Sequence, residues 1–185
     1  MPTTKERPTT KDRKPRARRP TTKQATPGPT VEIQTRAAES ALAVRTWASV
    51  MEIPRIMGEA LPEAWMAAER LGLRPVMPFA RYFTFEAPGT EFEPPQIEFE
   101  AGWLIDGVVT YGEGRVEPVQ LPGGEVAVAT HVGPYELLSQ TYDLMQRWIT
   151  EHERTSSGPM WEVYLDDPDK TSTDQLRTEV VIPLD

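Results

Sequence analysis

Cysteine is absent from the 185 residues and histidine occurs only twice. No run approaches the roughly eighteen unbroken apolar residues of a membrane span. The first absence removes disulfide frameworks and thiolate metal sites, and two histidines cannot make a zinc centre without carboxylate help. The N-terminus lacks the apolar core of a secretory signal. Missing too are the Gly-x-x-x-x-Gly-Lys-Ser/Thr phosphate loop, the Gly-x-Ser-x-Gly elbow and the His-Glu-x-x-His helix. The expectation is a cytoplasmic chain without membrane contact, metal or cofactor.

What is present divides near Pro29. Residues 1–29 hold nine Lys/Arg against Glu6 and Asp12, a net +7, whereas residues 30–185 hold 11 against 26, a net −15. The leader repeats Pro-Thr-Thr-Lys three times and has no aromatic side chain, so it buries too little apolar surface to offset its ordering entropy. A disordered basic leader is expected. It could meet nucleic acid or an acidic protein surface, but without interleaved aromatics it carries little specificity.

From residue 30 onward one pattern occurs twice. Residues 41–46 alternate like a strand, and residues 53–71 place Ile53, Ile56, Met57, Leu61, Trp65, Ala68 and Leu71 at helical spacing. Strands follow at 81–85 and 97–105. In the second copy residues 125–130 alternate, and Pro134 and Tyr135 open a helix with Leu138, Tyr142, Met145 and Ile149 on one face. Strands follow at 160–165 and 178–184. Phe83-Thr-Phe-Glu-Ala-Pro88 matches Val163-Tyr-Leu-Asp-Asp-Pro168 in the same relative place. Pro62 is expected to kink or split the first helix, and Gly72 to close it. The duplicated strand-helix-strand-strand order predicts an α+β domain: an antiparallel sheet with two helices on one face and a ligand groove on the other.

Alternation assigns faces. Taking the bulkier apolar residues as helix-facing puts Leu42, Val44, Phe83, Phe85, Val126, Val128, Val163 and Leu165 under the helices. Arg45, Trp47, Tyr82, Thr84, His131, Glu162 and Tyr164 then share the open face with Ala43, Ala127 and Ala129, a surface with room for a ligand and rings to line it. Glu162, between Trp161 and Val163, is the leading candidate: a partly desolvated carboxylate needs a cation, and ring faces add cation–π attraction of roughly 0.5–2 kcal/mol each. The ligand-binding set is therefore Glu162, Tyr164, Tyr82, Trp47 and His131. Glu98 and Glu100, on one strand face, read as solvated carboxylates, and the acidic stretch 166–174 as a surface turn that lacks the glycine and distal glutamate of a calcium loop.

Thr130-His-Val-Gly-Pro-Tyr-Glu136, with Leu138, Tyr142 and Trp148 following, then Trp161-Glu-Val-Tyr-Leu-Asp-Asp-Pro168 and the closing Thr178-Glu-Val-Val-Ile-Pro-Leu184, resemble the gyrase-inhibitor-like (GyrI-like) effector-binding domains. The resemblance covers about residues 31–185. It implies a duplicated strand-helix-strand-strand fold and a pocket glutamate that meets lipophilic cations, which by the motif Glu-Val-Tyr-Leu is Glu162. Relatives of this kind include ligand-sensing halves of transcription regulators, proteins that protect gyrase, and hydrolases of strained electrophilic natural products. The leading reading is a stand-alone binder of amphipathic, cationic or aromatic small molecules, in sensing or sequestration. The alternatives are a hydrolase using Glu162 and Tyr164 and a protein-binding module such as a gyrase modulator, so whether it is an enzyme stays open. A haem-binding family shares the duplicated fold, and there His131 is the one plausible axial ligand.

Overall fold

The computed structural model describes residues 28–86 and 94–185. The expectation of a disordered leader over 1–29 concerns, but for Gly28 and Pro29, residues outside those described. The elements in chain order are β1 (Val31–Arg36), β2 (Glu39–Ser49), α1 (Ile53–Arg70), β3 (Pro75–Glu86), β4 (Gln96–Ile105), β5 (Val116–Leu121), β6 (Gly124–Val132), α2 (Leu138–Glu151), β7 (Met160–Tyr164) and β8 (Arg177–Pro183). A 3-10 turn over Tyr135–Leu137 leads into α2. The expected α+β class is the observed one: eight antiparallel strands form one sheet, with both helices packed on it.

The strand order is β1-β6-β8-β7-β3-β4-β2-β5. The two halves meet at the β3–β7 seam, where Ala80 stands opposite Glu162 and Tyr82 opposite Met160. Two strands were not anticipated, β1 and β5. Each precedes one repeat in the chain yet pairs with the other: β1 lies against β6, and β5 against β2. The repeat is therefore strand-strand-helix-strand-strand with its leading strands exchanged. Both are short sheet edges, and Pro118 inside β5 is tolerated because an edge strand has a ladder side with no bonds to make.

Leu42, Val44, Ala48, Phe99 and Ala101 pack under α1, whose Ala60, Ala64, Ala67 and Ala68 form a stripe that lets helix and sheet approach closely. Under α2 lie Ala127, Ala129, Val180 and Ile182. The opposite face is not open. Ala43 and Leu121 from one end of the strand order, Val126 and Val128 from the other, and Phe79, Trp161 and Val163 from the middle share a single buried cluster. Strands so far apart in the order touch only if the sheet curls on itself, so its inner face is a second dry core.

That curl overturns part of the face assignment. Leu42 and Val44 face a helix as expected, but Val126, Val128 and Val163 face inward, and Ala127, Ala129 and Glu162 lie on the helix side. Bulk did not discriminate, because both faces are buried and α2 needs small residues beneath it. The expectations for Thr84 and Phe85 concern side chains outside those described. Glu100 is not solvated either: it is 1% exposed and ion-paired with Arg81 on the inner face, while Glu98 pairs with Arg45 at 2.9 Å.

Helix α1 runs unbroken through Pro62. A proline inside a helix costs about 3 kcal/mol through its missing N–H and its ring's clash with the carbonyl four residues back. Here that carbonyl belongs to Gly58. Gly72, at φ +70°, closes the helix as expected, with the Leu73 N–H bonded to the Ala68 carbonyl at 2.9 Å.

Candidate functional site

A hollow of about 1230 Å³ opens on the helix side of the sheet, over the β3–β7 seam and between α1 and α2. It is not on the face away from the helices, where the groove was expected. Strand β7 supplies its floor, since alternation that buries Trp161 and Val163 inward turns Met160, Glu162 and Tyr164 into it.

Glu162 is 4% exposed. Its Oε1 accepts the Tyr142 hydroxyl at 2.6 Å, and its Oε2 accepts those of Tyr164 at 2.7 Å and Tyr82 at 3.2 Å. Burial pushes its carboxyl above the ordinary glutamate value, against the pull of the three phenol donors and of His131. Burial and the carboxylate push the three phenols up as well, so they remain protonated donors. Three neutral hydroxyls satisfy the lone pairs of the carboxylate without cancelling its charge. Among the described residues no Lys or Arg borders the hollow, whereas Glu136, Asp143 and Asp166 do. Asp166 is bonded to Arg177 at 2.8 Å, and its carboxyl is held down by that contact. Stacking fixes the rings: Tyr82 lies on Phe99 at 6.0 Å, and Tyr135 meets Tyr164 edge-on at 5.7 Å.

Of the expected ligand-binding set, Glu162, Tyr164 and Tyr82 come together here. Trp47 does not: it stands opposite Glu98 in the β2–β4 ladder, on the face away from α1, and is 41% exposed. His131 lies behind the hollow rather than in its wall. Its Nε2–H donates to the Pro134 carbonyl at 3.1 Å, and its Nδ1 shares a hydrogen bond with the Thr141 hydroxyl at 2.9 Å. With both nitrogens engaged, it offers no free axial ligand to a haem. The stretch after Tyr164 is a turn, in which an Asp167 carboxylate oxygen accepts the Asp169 N–H at 2.9 Å. Sequence reasoning missed Tyr142 as a partner of Glu162, having read it as part of a helix face and of the family motif. The hint was a phenol within an otherwise apolar stripe, since a buried Tyr hydroxyl normally finds an acceptor.

A curled antiparallel sheet with a large, mostly apolar hollow and a buried, uncompensated carboxylate on its floor is the frame of a small-molecule-binding α+β domain. The chain belongs to the GyrI-like small molecule binding domain family, which it matches over residues 30–185. No curated protein matches the chain. Among solved structures, the C-terminal domain of EcmrR is similar with a TM-score of 0.68 at 16% identity, covering 85% of this chain and 98% of that domain. In a DNA complex of EcmrR the match spans 57% of that chain. SAV2435 bound to tetraphenylphosphonium gives 0.57 at 14% identity, covering 84% of this chain and 94% of that one. A hydrolase from Listeria innocua gives 0.56 at 13% identity, covering 86% and 94%. At these identities the likeness is one of fold.

No helix among the described residues is long and apolar enough to cross a membrane.

Proposed function

We propose that this GyrI-like domain captures amphipathic cations of aromatic or bulky apolar build, in sensing or sequestration, with Glu162 as the counter-charge. The observation that carries the reading is the contrast between two buried glutamates. Glu100 has its cation built in, Arg81. Among the described residues Glu162 has only phenols, beside a hollow bordered by acids and by no Lys or Arg. A buried charge without a partner is costly, and an entering cation relieves that cost. The faces of Tyr82, Tyr142 and Tyr164 add cation–π attraction, and the acidic lip raises the local concentration of cations. The tetraphenylphosphonium bound to SAV2435 supports the choice of probe.

The test is calorimetric titration of tetraphenylphosphonium. Saturable binding is expected, and Glu162→Gln, which keeps the shape but removes the charge and turns one acceptor oxygen into an N–H donor, weakens it roughly 30-fold or more, the equivalent of ~2 kcal/mol. Equal affinity in the variant rejects the role of Glu162.

Hydrolysis of an electrophilic compound is a second reading, favoured by the raised pKa of the same carboxyl, which suits a general base toward water. Product formation that Glu162→Gln abolishes separates turnover from stoichiometric capture.

A further inference from the structure

Helix α1 turns a row of prolines and a glycine to the hollow, between bulkier apolar residues. Pro54, Gly58 and Pro62, each one turn from the next, all border it. Because proline has no N–H, Pro62 deprives the Gly58 carbonyl of the donor that helical geometry would otherwise supply. No side chain replaces that donor among the described residues; the Trp103 indole N–H goes instead to the Leu61 carbonyl, at 2.9 Å. A Cβ placed on Gly58 would meet nothing within 4 Å, so the position is open to an incoming group. The outcome is a backbone acceptor held on a wall of proline, methionine and leucine, above a floor that carries Glu162.

We propose that the Gly58 carbonyl is a second anchor for the ligand, accepting a hydrogen bond from an N–H of the bound cation. The hollow then selects protonated amines over permanently alkylated ammonium or phosphonium ions of similar shape. The inference rests on the cation-binding reading of Glu162 and sharpens it. Charge alone attracts both kinds of ion to the carboxylate, but only a protonated amine has a hydrogen to offer the carbonyl, in a charge-assisted bond. Proline at 62 keeps the acceptor free, and glycine at 58 keeps the approach clear.

The experiment compares biphenylmethyl-dimethylamine, protonated at neutral pH, with its N-methyl quaternary salt, each titrated into the full chain and into Pro62→Ala and Pro62→Leu. Both substitutions restore the N–H that bonds the Gly58 carbonyl, and leucine does so while keeping bulk at the wall. The wild type should prefer the amine by about tenfold. In both variants that ratio should fall to near unity while the melting temperature rises by several degrees, as an interior helix position without proline requires. A ratio that persists in both variants, or a wild type indifferent to the two probes, overturns the Gly58 anchor and leaves the Glu162 reading standing. Should neither probe nor tetraphenylphosphonium bind the wild type, the cation reading fails and takes the anchor with it.

Discussion

Two buried glutamates show how burial of the same group serves two ends. Glu100 is neutralised by Arg81, which also donates to the Gln120 carbonyl at 2.8 Å and so ties β3 to β5 across the curl. Removing one partner strands the other, so Glu100→Ala should cost ~3–5 kcal/mol in chemical denaturation. Burial lifts both carboxyls above the ordinary 4.5, but for Glu162 it is phenols rather than an arginine that oppose the rise. Between the ordinary and the raised value the folded state holds a proton that the unfolded state has released, so stability falls as pH rises through that window and the penalty persists above it. Glu162→Gln lacks that penalty, and its stability relative to wild type should climb from acid to neutral pH. A cation favours the ionised form, so tetraphenylphosphonium affinity should rise with pH, with a midpoint above 4.5; affinity flat across that range would remove the carboxylate from the binding step. Glu162 and Tyr164 were legible in the sequence because they alternate with Trp161 and Val163 in a strongly patterned strand. Their side of the sheet was not, since alternation yields two faces and never says which one a helix covers.

Among the elements, α2 is the one that holds the site in register. His131 bonds the Pro134 carbonyl at the turn before α2 and the Thr141 hydroxyl within it, and the next residue, Tyr142, gives Glu162 its shortest hydrogen bond. His131 thus positions a ligand-facing phenol without entering the hollow. His131→Ala leaves a buried hydroxyl and a carbonyl without partners and should cost ~1–3 kcal/mol. It also removes one of the influences that lower the Glu162 pKa, so the pH midpoint of cation binding should move upward; an unmoved midpoint with lowered stability would leave His131 a purely structural role. The sequence indicated both helices and six of the eight strands, because each carries a clean period or a recognisable stop such as Gly72. It did not indicate β1 and β5, which mix polar and apolar residues as sheet edges do. Nor did it show that α1 survives Pro62, because that depends on packing by Ala60, Ala64, Ala67 and Ala68 against the sheet.

At the scale of the whole molecule, the exchange of β1 and β5 binds two repeats into one folding unit. Neither repeat contains a complete sheet of its own: β6 needs β1, β2 needs β5, and the seam needs β3 beside β7. The inner cluster crosses the same divide, with Ala43 and Phe79 from the first half packed with Val128 and Trp161 from the second. The hollow follows from this arrangement, since α1 and α2 each cover their own half and leave the seam between them uncovered. Two repeats that share a core and trade edge strands have no low-energy state with one half folded, so unfolding should be a single cooperative transition. Helical ellipticity and tryptophan fluorescence sample both halves in different proportions, since each half has its own helix and its own tryptophans, Trp65 and Trp103 in the first and Trp148 and Trp161 in the second. Their denaturation curves should nonetheless coincide in midpoint and slope, and the two repeats expressed apart should stay unfolded. Separated transitions would instead mean that the seam is a docking surface between two independent domains, and a ligand at that seam would then bring the two midpoints together.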